Sequence, residues 1–260
     1  MIVRAKCKSI TLQKAHSPMF DIHDVMQPQF SLREIGDRLW SALPPDRPTP
    51  EYDGRARLYD LLVGSRIYNR LAWGVSPQTY EAFAASAKAA ASGPFLDAGC
   101  GTLVSTVHVH ARSRRPTVLL DLSHDMLLAA QRRLVAEYGC LPDHLFFLQA
   151  DLMDLPLAKN TFETIISPGM VHLFEDIESF AAGLARVAKP GFPLFLSSLV
   201  SERTISRLYL HALHRAGEVA RPRTGDQVLT RLRKLGPALT LIEDARLEGS
   251  VLFAKAVARN

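Results

Sequence analysis

The sequence predicts an α/β protein built on a doubly wound parallel sheet, and three observations predict it. Short apolar runs near 94–98, 117–121, 145–150, 162–167 and 193–199 alternate with stretches long enough for helices. The first run ends in Asp97 and passes through Gly99-Cys100-Gly101, the pattern of a strand turning tightly into a helix whose free N–H groups face a ligand. The second ends in Asp121, twenty residues after Gly101, where an acid can take both hydroxyls of a ribose.

Taken in order, residues 31–40 open with a capping box, Ser31-Leu-Arg-Glu34, and carry Leu32, Ile35, Leu39 and Trp40 at helical spacing, so a helical N-terminal extension is expected. Pro44-Pro-Asp-Arg-Pro-Thr-Pro50 follows as an extended linker, because proline lacks the amide donor and restricts the residue before it. A boundary near residue 50 divides the chain into an extension with its linker, 1–50, and a main domain, 51–260. Helices are expected over 52–63, 66–73 and 76–92, the last with Ser76 as N-cap, Pro77 in its first turn and Gly93 closing it. Further helices are expected over 102–112 and over 124–138, the second capped by Ser123 and closed by Gly139. Others follow over 176–188, 202–216 and 225–235, the last opened by the capping box Thr224-Gly-Asp-Gln227. Apolar runs at 239–245 and 250–257, around Glu248-Gly249, read as a terminal hairpin.

In 260 residues, 47% hydrophobic content suffices for a sizeable core. No apolar run approaches the roughly 18 uncharged residues of a membrane span, and Met1-Ile-Val-Arg-Ala-Lys-Cys-Lys lacks the apolar centre of a secretory signal. A cytoplasmic protein without a membrane partner is expected. Cys7, Cys100 and Cys140 are widely spaced and odd in number, which suggests reduced thiols, with neither a disulfide framework nor a metal site. The net charge is +5, with basic residues thickening from Arg203 to Lys234. Glu202, Glu218 and Asp226 interrupt them and no aromatic interleaves after Tyr209, so nucleic acid is not the expected partner.

Two kinds of cofactor share the layout of glycine turn and second acid. Dinucleotide binders need a third glycine where a pyrophosphate meets the helix start, and here Thr102, Leu103 and Val104 follow Gly101. The nicotinamide and flavin readings lose their main support. Four segments then come in order: Phe95-Leu-Asp-Ala-Gly-Cys-Gly-Thr102, Leu120-Asp-Leu-Ser-His-Asp-Met-Leu127, Gln149-Ala-Asp-Leu-Met-Asp-Leu-Pro156 and Phe162-Glu-Thr-Ile-Ile-Ser-Pro-Gly-Met-Val-His172. Jointly they resemble the class I S-adenosylmethionine-dependent methyltransferases, in particular the small-molecule group called type 11, over roughly residues 52–200.

The resemblance implies a Rossmann-like seven-stranded sheet completed by the terminal hairpin. It implies S-adenosyl-L-methionine as cofactor, S-adenosyl-L-homocysteine as product, and methyl transfer to an oxygen, nitrogen or carbon nucleophile of a small-molecule acceptor. Asp97, Ala98, Gly99, Cys100 and Gly101 would then form the cofactor loop, Asp121 the ribose ligand, and Leu122 and Met126 the packing around adenine. Asp151 would meet the adenine amino group beside the Leu152 amide, and Ser167 would open the loop facing cofactor and substrate. Leading helices cover the cofactor in the family, which gives Tyr59, Tyr68 and Trp73 substrate or lid roles; a plain core stripe is the alternative for the same residues. Leu103 stands where many members carry a third glycine, and altered cofactor affinity, without loss of binding, is expected from it.

Methyl transfer is an in-line displacement in which the protein positions groups and excludes water, so a general base is optional. His172, five residues beyond the fourth strand, is the candidate base, with packing or a backbone hydrogen bond as its other role. Ser167-Pro168-Gly169-Met170 is not the Asp/Asn-Pro-Pro-Tyr/Phe used on DNA amino groups, and no Pro-Cys pair occurs for cytosine carbon methylation. The other function class that fits is a methyltransferase-like domain holding the cofactor or its product as a structural or regulatory ligand without turnover.

Overall fold

The computed structural model describes residues 20–47, 68–241 and 245–259. Within them the strands are β1 (Arg33–Gly36), β2 (Leu39–Ser41), β3 (Phe95–Ala98), β4 (Thr117–Asp121), β5 (Leu145–Gln149), β6 (Thr164–Ser167), β7 (Pro193–Leu199), β8 (Leu239–Leu241), β9 (Arg246–Glu248) and β10 (Val251–Ala258). The α-helices are α1 (Pro77–Ala89), α2 (Val107–Arg112), α3 (His124–Tyr138), α4 (Ile177–Val187), α5 (Thr204–Arg215) and α6 (Gly225–Arg233), and a π-helical turn spans Asn69–Trp73.

The apolar runs become parallel strands because both faces of each are covered; β3 and β6 are buried at every residue. They order as β5-β4-β3-β6-β7, with β10 antiparallel beside β7 and both β8 and β9 paired to β10. The terminal hairpin is thus present with its first strand in two pieces, and these positions make up the seven-stranded arrangement. On one face Leu96, Leu120, Ile165 and Leu196 pack against Phe180 and Leu184 of α4 and Val228 and Leu232 of α6. On the other, Phe95, Ile166, Phe195 and Phe253 meet Phe83 and Ala87 of α1, while Leu119 and Phe147 meet Leu127 and Leu134 of α3. Several caps read from sequence form: Ser123 accepts from the Met126 amide at 3.2 Å, Gly139 turns left-handed at φ 80°, and Thr224 and Gln227 cap each other reciprocally. Ser76 stands at the N-cap of α1 without a side-chain cap bond, and that helix ends at Ala89, short of Gly93.

The N-terminal extension is the main departure. The expected helix over 31–40 is instead the hairpin β1–β2, turning at Asp37-Arg38 with Arg38 at φ 50°. Gly36 and Asp37 are poor helix formers, and β5 offers an open edge that β2 fills in parallel, Leu39 opposite Phe147 and Ser41 opposite Gln149. Arg38 pins the turn by donating to the carbonyls of Leu141 and Pro142 at 2.6 and 2.7 Å. The hairpin extends the sheet beyond its seven strands. The helix expected over 52–63 and the boundary near 50 lie outside the described residues. Cys100 is free and buried, but Cys140, expected as a thiol, is disulfide-bonded, since distance along the chain sets no limit on distance in space. Among the described residues no helix is long and apolar enough to cross a membrane.

Candidate functional site

The sheet reverses direction of growth at β3, stepping first to β4 and β5 and later back to β6 and β7, and such a reversal opens a crevice at the carboxyl ends of the strands. Register brings the sequence candidates to that edge: Ala98 lies opposite Leu120, Asp121 opposite Gln149, and Ser167 opposite Leu196.

The loop after β3 is tied to β4 by the amides of Gly99 and Cys100, both donating to the Leu120 carbonyl at 2.8 and 2.9 Å. Gly99 has φ 84°, and a Cβ there would come within 2.5 to 2.7 Å of the Met170 thioether, so Gly99 is fixed both by its backbone and by the side chain above it. Met170, in the loop after β6, lies inside the fourth of the motif-like segments, but nothing in the sequence ties it to Gly99. Gly101 follows at φ 54° and Leu103 at φ 58°. Leu103 therefore keeps the left-handed backbone of the missing glycine, and its side chain, 1% exposed, packs with Cys100, Val107, Leu119 and Leu127 in the core under the loop. It also delays the helix, expected from 102, which begins at Val107.

Asp121 sits between two backbone donors: Oδ2 accepts from the Gly101 amide at 2.8 Å and Oδ1 from the Ser123 amide at 2.9 Å. Burial pushes its carboxyl up to about 6, with those hydrogen bonds pulling the other way. Each oxygen keeps a lone pair for a further donor. Beyond it, the Leu122 carbonyl accepts from Gln149 at 3.2 Å and Met126 is buried at the start of α3. Asp151 accepts from the Met153 amide at 2.8 Å through Oδ1 and from Arg47 at 2.6 Å through Oδ2. Arg47 comes from the N-terminal segment, next to a cavity of about 250 Å³ bordered by Phe30, Arg33, Pro45, Asp151 and Asp154. Leu152 is buried beside it.

Other candidates are committed to internal contacts. The buried Asp97 Oδ2 pairs with His110 Nε2 of α2 at 2.7 Å, both side chains fully inaccessible, while Asp97 Oδ1 has no partner among the described residues. Ser167 donates to the Ala98 carbonyl at 2.6 Å, joining the ends of β6 and β3. His172 accepts from the Leu199 amide at 3.3 Å through Nδ1, which leaves its proton on Nε2, and burial lowers its pKa to about 3. Tyr68 donates to the Tyr209 hydroxyl at 3.0 Å, Trp73 packs edge-on against Tyr209 at 5.5 Å, and Trp73 is 4% exposed. Burial raises the Tyr68 pKa above its ordinary value. Tyr59 lies outside the described residues. No group of three metal-binding side chains occurs among the described residues.

A family model described as a methyltransferase domain matches residues 95–191, from the start of β3 to the turn before β7. The demethylmenaquinone methyltransferase of Corynebacterium glutamicum is 39% identical over 100 residues, 37% of each chain. Among solved structures, the geranyl diphosphate C-methyltransferase of Streptomyces coelicolor, in complex with Mg²⁺, geranyl-S-thiolodiphosphate and S-adenosyl-L-homocysteine, aligns with TM-score 0.56 and 15% identity over 70% of this chain and 76% of that one. The [4+2]-cyclase SpnF aligns with TM-score 0.58 and 16% identity over 82% and 98%. The chain spans between 23% and 37% of the length of the first curated relatives it matches. A shared fold with a cyclase leaves the reaction to be argued from the site.

Proposed function

We propose that this protein is a cytoplasmic methyltransferase that uses S-adenosyl-L-methionine to methylate an oxygen, nitrogen or carbon nucleophile of a small-molecule acceptor. The observation that carries the reading is the Asp121 carboxylate, held between the Gly101 and Ser123 amides with acceptor capacity left for two ribose hydroxyls. The residues present fit the cofactor: Gly99 admits close backbone approach, Asp121 the ribose, and Asp151 with Leu152 the adenine edge. When bound, the cofactor supplies an electrophilic methyl on a cationic sulfur. The chain's part is to hold that end against the Gly99–Gly101 loop, to keep water out with Met170 and the aromatic group of Tyr68, Trp73 and Tyr209, and to aim the acceptor in line. The names of relatives that act on small molecules support the acceptor class.

The test is calorimetric titration with S-adenosyl-L-homocysteine, with NAD alongside. Binding should be saturable for the first, absent for the second, and weakened about a hundredfold or more by Asp121→Ala, since two charge-assisted hydrogen bonds are lost. A second reading, a domain that holds the cofactor without turnover, is favoured by one observation: His172, held neutral with Nδ1 engaged, offers no general base at the crevice. Acceptor-dependent formation of S-adenosyl-L-homocysteine eliminates it.

A further inference from the structure

We propose that the outer side of α5, with the π-helical turn beside it, is a docking face for an anionic lipid bilayer. The inner side of α5 is spoken for: Ser206 and Leu210 are buried, and Tyr209 meets Tyr68 and Trp73. The outer side carries Ile205, 57% exposed, Leu208, 66% exposed, and Ala212, also exposed. Their spacing, three and four residues apart, sets them in one stripe along the helix. Arg207, His211 and Arg215, four apart, run beside that stripe on the exposed side, and Arg203 precedes it. No aspartate or glutamate occurs between Arg203 and Arg215. The adjoining π-helical turn adds Arg70 and Leu71, the latter 64% exposed.

A single leucine on a surface is ordinary, but Ile205, Leu208 and Leu71 sit on two packed neighbours with cations alongside and no anion within the helix. Size and charge choose the occupant. Three large apolar side chains and an alanine fall short of the roughly 800 Å² per partner that a stable protein interface buries. Shallow insertion of a few apolar side chains, with arginines on lipid phosphates, is what peripheral attachment of an amphipathic helix to an anionic leaflet needs. The face borders the Tyr68–Trp73–Tyr209 group, so attachment would set that group toward the bilayer. The inference does not rest on methyl transfer, because vesicle binding requires neither cofactor nor acceptor.

The experiment is co-sedimentation of the full chain with vesicles of phosphatidylcholine alone and with about a third phosphatidylglycerol. Partition onto the anionic vesicles should exceed that onto neutral ones by about fivefold or more and fall as salt rises from about 0.05 to 0.5 M. Leu208→Glu, and separately Arg207→Glu with Arg215→Glu, should each cut it about fivefold with thermal unfolding unchanged, while Val135→Glu, at an exposed position of α3, leaves it as it was. Absence of partition, equal partition onto both vesicles, or an equal loss in Val135→Glu overturns the proposal. So does a dimer in light scattering that Leu208→Glu splits, which would assign the face to a second copy.

Discussion

In the glycine-loop half of the candidate site, Asp121 is fixed by Gly101 and Ser123, 20 and two residues away, through backbone amides. In the aromatic half, Tyr68 meets Tyr209 across 141 residues and His172 leans on Leu199 across 27. The first half is held by the ends of two adjacent strands and changes shape only if the sheet does. The second is held by side chains from elements that must dock on one another, so its geometry follows their packing. The glycine-loop half is thus built as a rigid cradle, and the aromatic half as an assembly that substitutions can rearrange without unfolding the sheet.

Leu103→Ala tests the cradle most severely. The side chain is core, so its loss should cost about 2–4 kcal/mol in denaturant unfolding while affinity for S-adenosyl-L-homocysteine stays within about threefold. A tenfold weakening would place Leu103 in the cofactor contact and erase the distinction between cradle and core.

Gly99→Ala comes next. Left-handed strain plus the approach of Met170 should cost about 2–3 kcal/mol, and Met170→Ala in the same chain should return the steric share, leaving about 1 kcal/mol. Equal costs in the two backgrounds would show that the loop after β6 does not press on the cradle.

A smaller effect separates binding from stability by sign. The Asp121 carboxyl stands at about 6, above its ordinary 3.8, so between those values the folded protein holds the extra proton. Asp121 therefore contributes most to fold stability at low pH, and that contribution is lost as pH rises through 6. Ribose recognition needs the ionised form, so affinity should fall as pH drops below about 6, by up to tenfold per unit. Titrations from pH 5 to 8 with Asp121→Asn as the flat control decide it; a flat wild-type profile would show that the carboxylate is not the ligand.

The smallest effect is expected at His172. With its pKa near 3 the imidazole is neutral across the working range, so His172→Gln should leave kcat and its pH dependence within about threefold. A large loss together with a vanished acid limb would make it the base and move the chemistry into the aromatic half.

Legibility follows the same division. Gly99-x-Gly101 and Asp121 could be read because each works through backbone geometry that neighbouring residues dictate, and the caps of α3 and α6 could be read for the same reason. Residues 31–40 form a hairpin against their local signals, a capping box and an apolar period, because the free edge of β5 outweighs them. Asp37-Arg38 after Gly36 was the turn signal present in that stretch. Met170 over Gly99 and Arg47 on Asp151 had no signal, since nothing in either sequence neighbourhood specifies a partner 71 or 104 residues away.

By itself the sequence determined the alternation of strands and helices, the tight turn after β3 and the acid at the end of β4, because apolar periodicity and glycine act over a few residues. Only the tertiary structure decided that the N-terminal segment would join the sheet, that Leu103 would turn its side chain inward, and that His172 would be half-buried and neutral. Those outcomes depend on which surfaces are left to cover once the sheet has formed, and that quantity exists only in three dimensions.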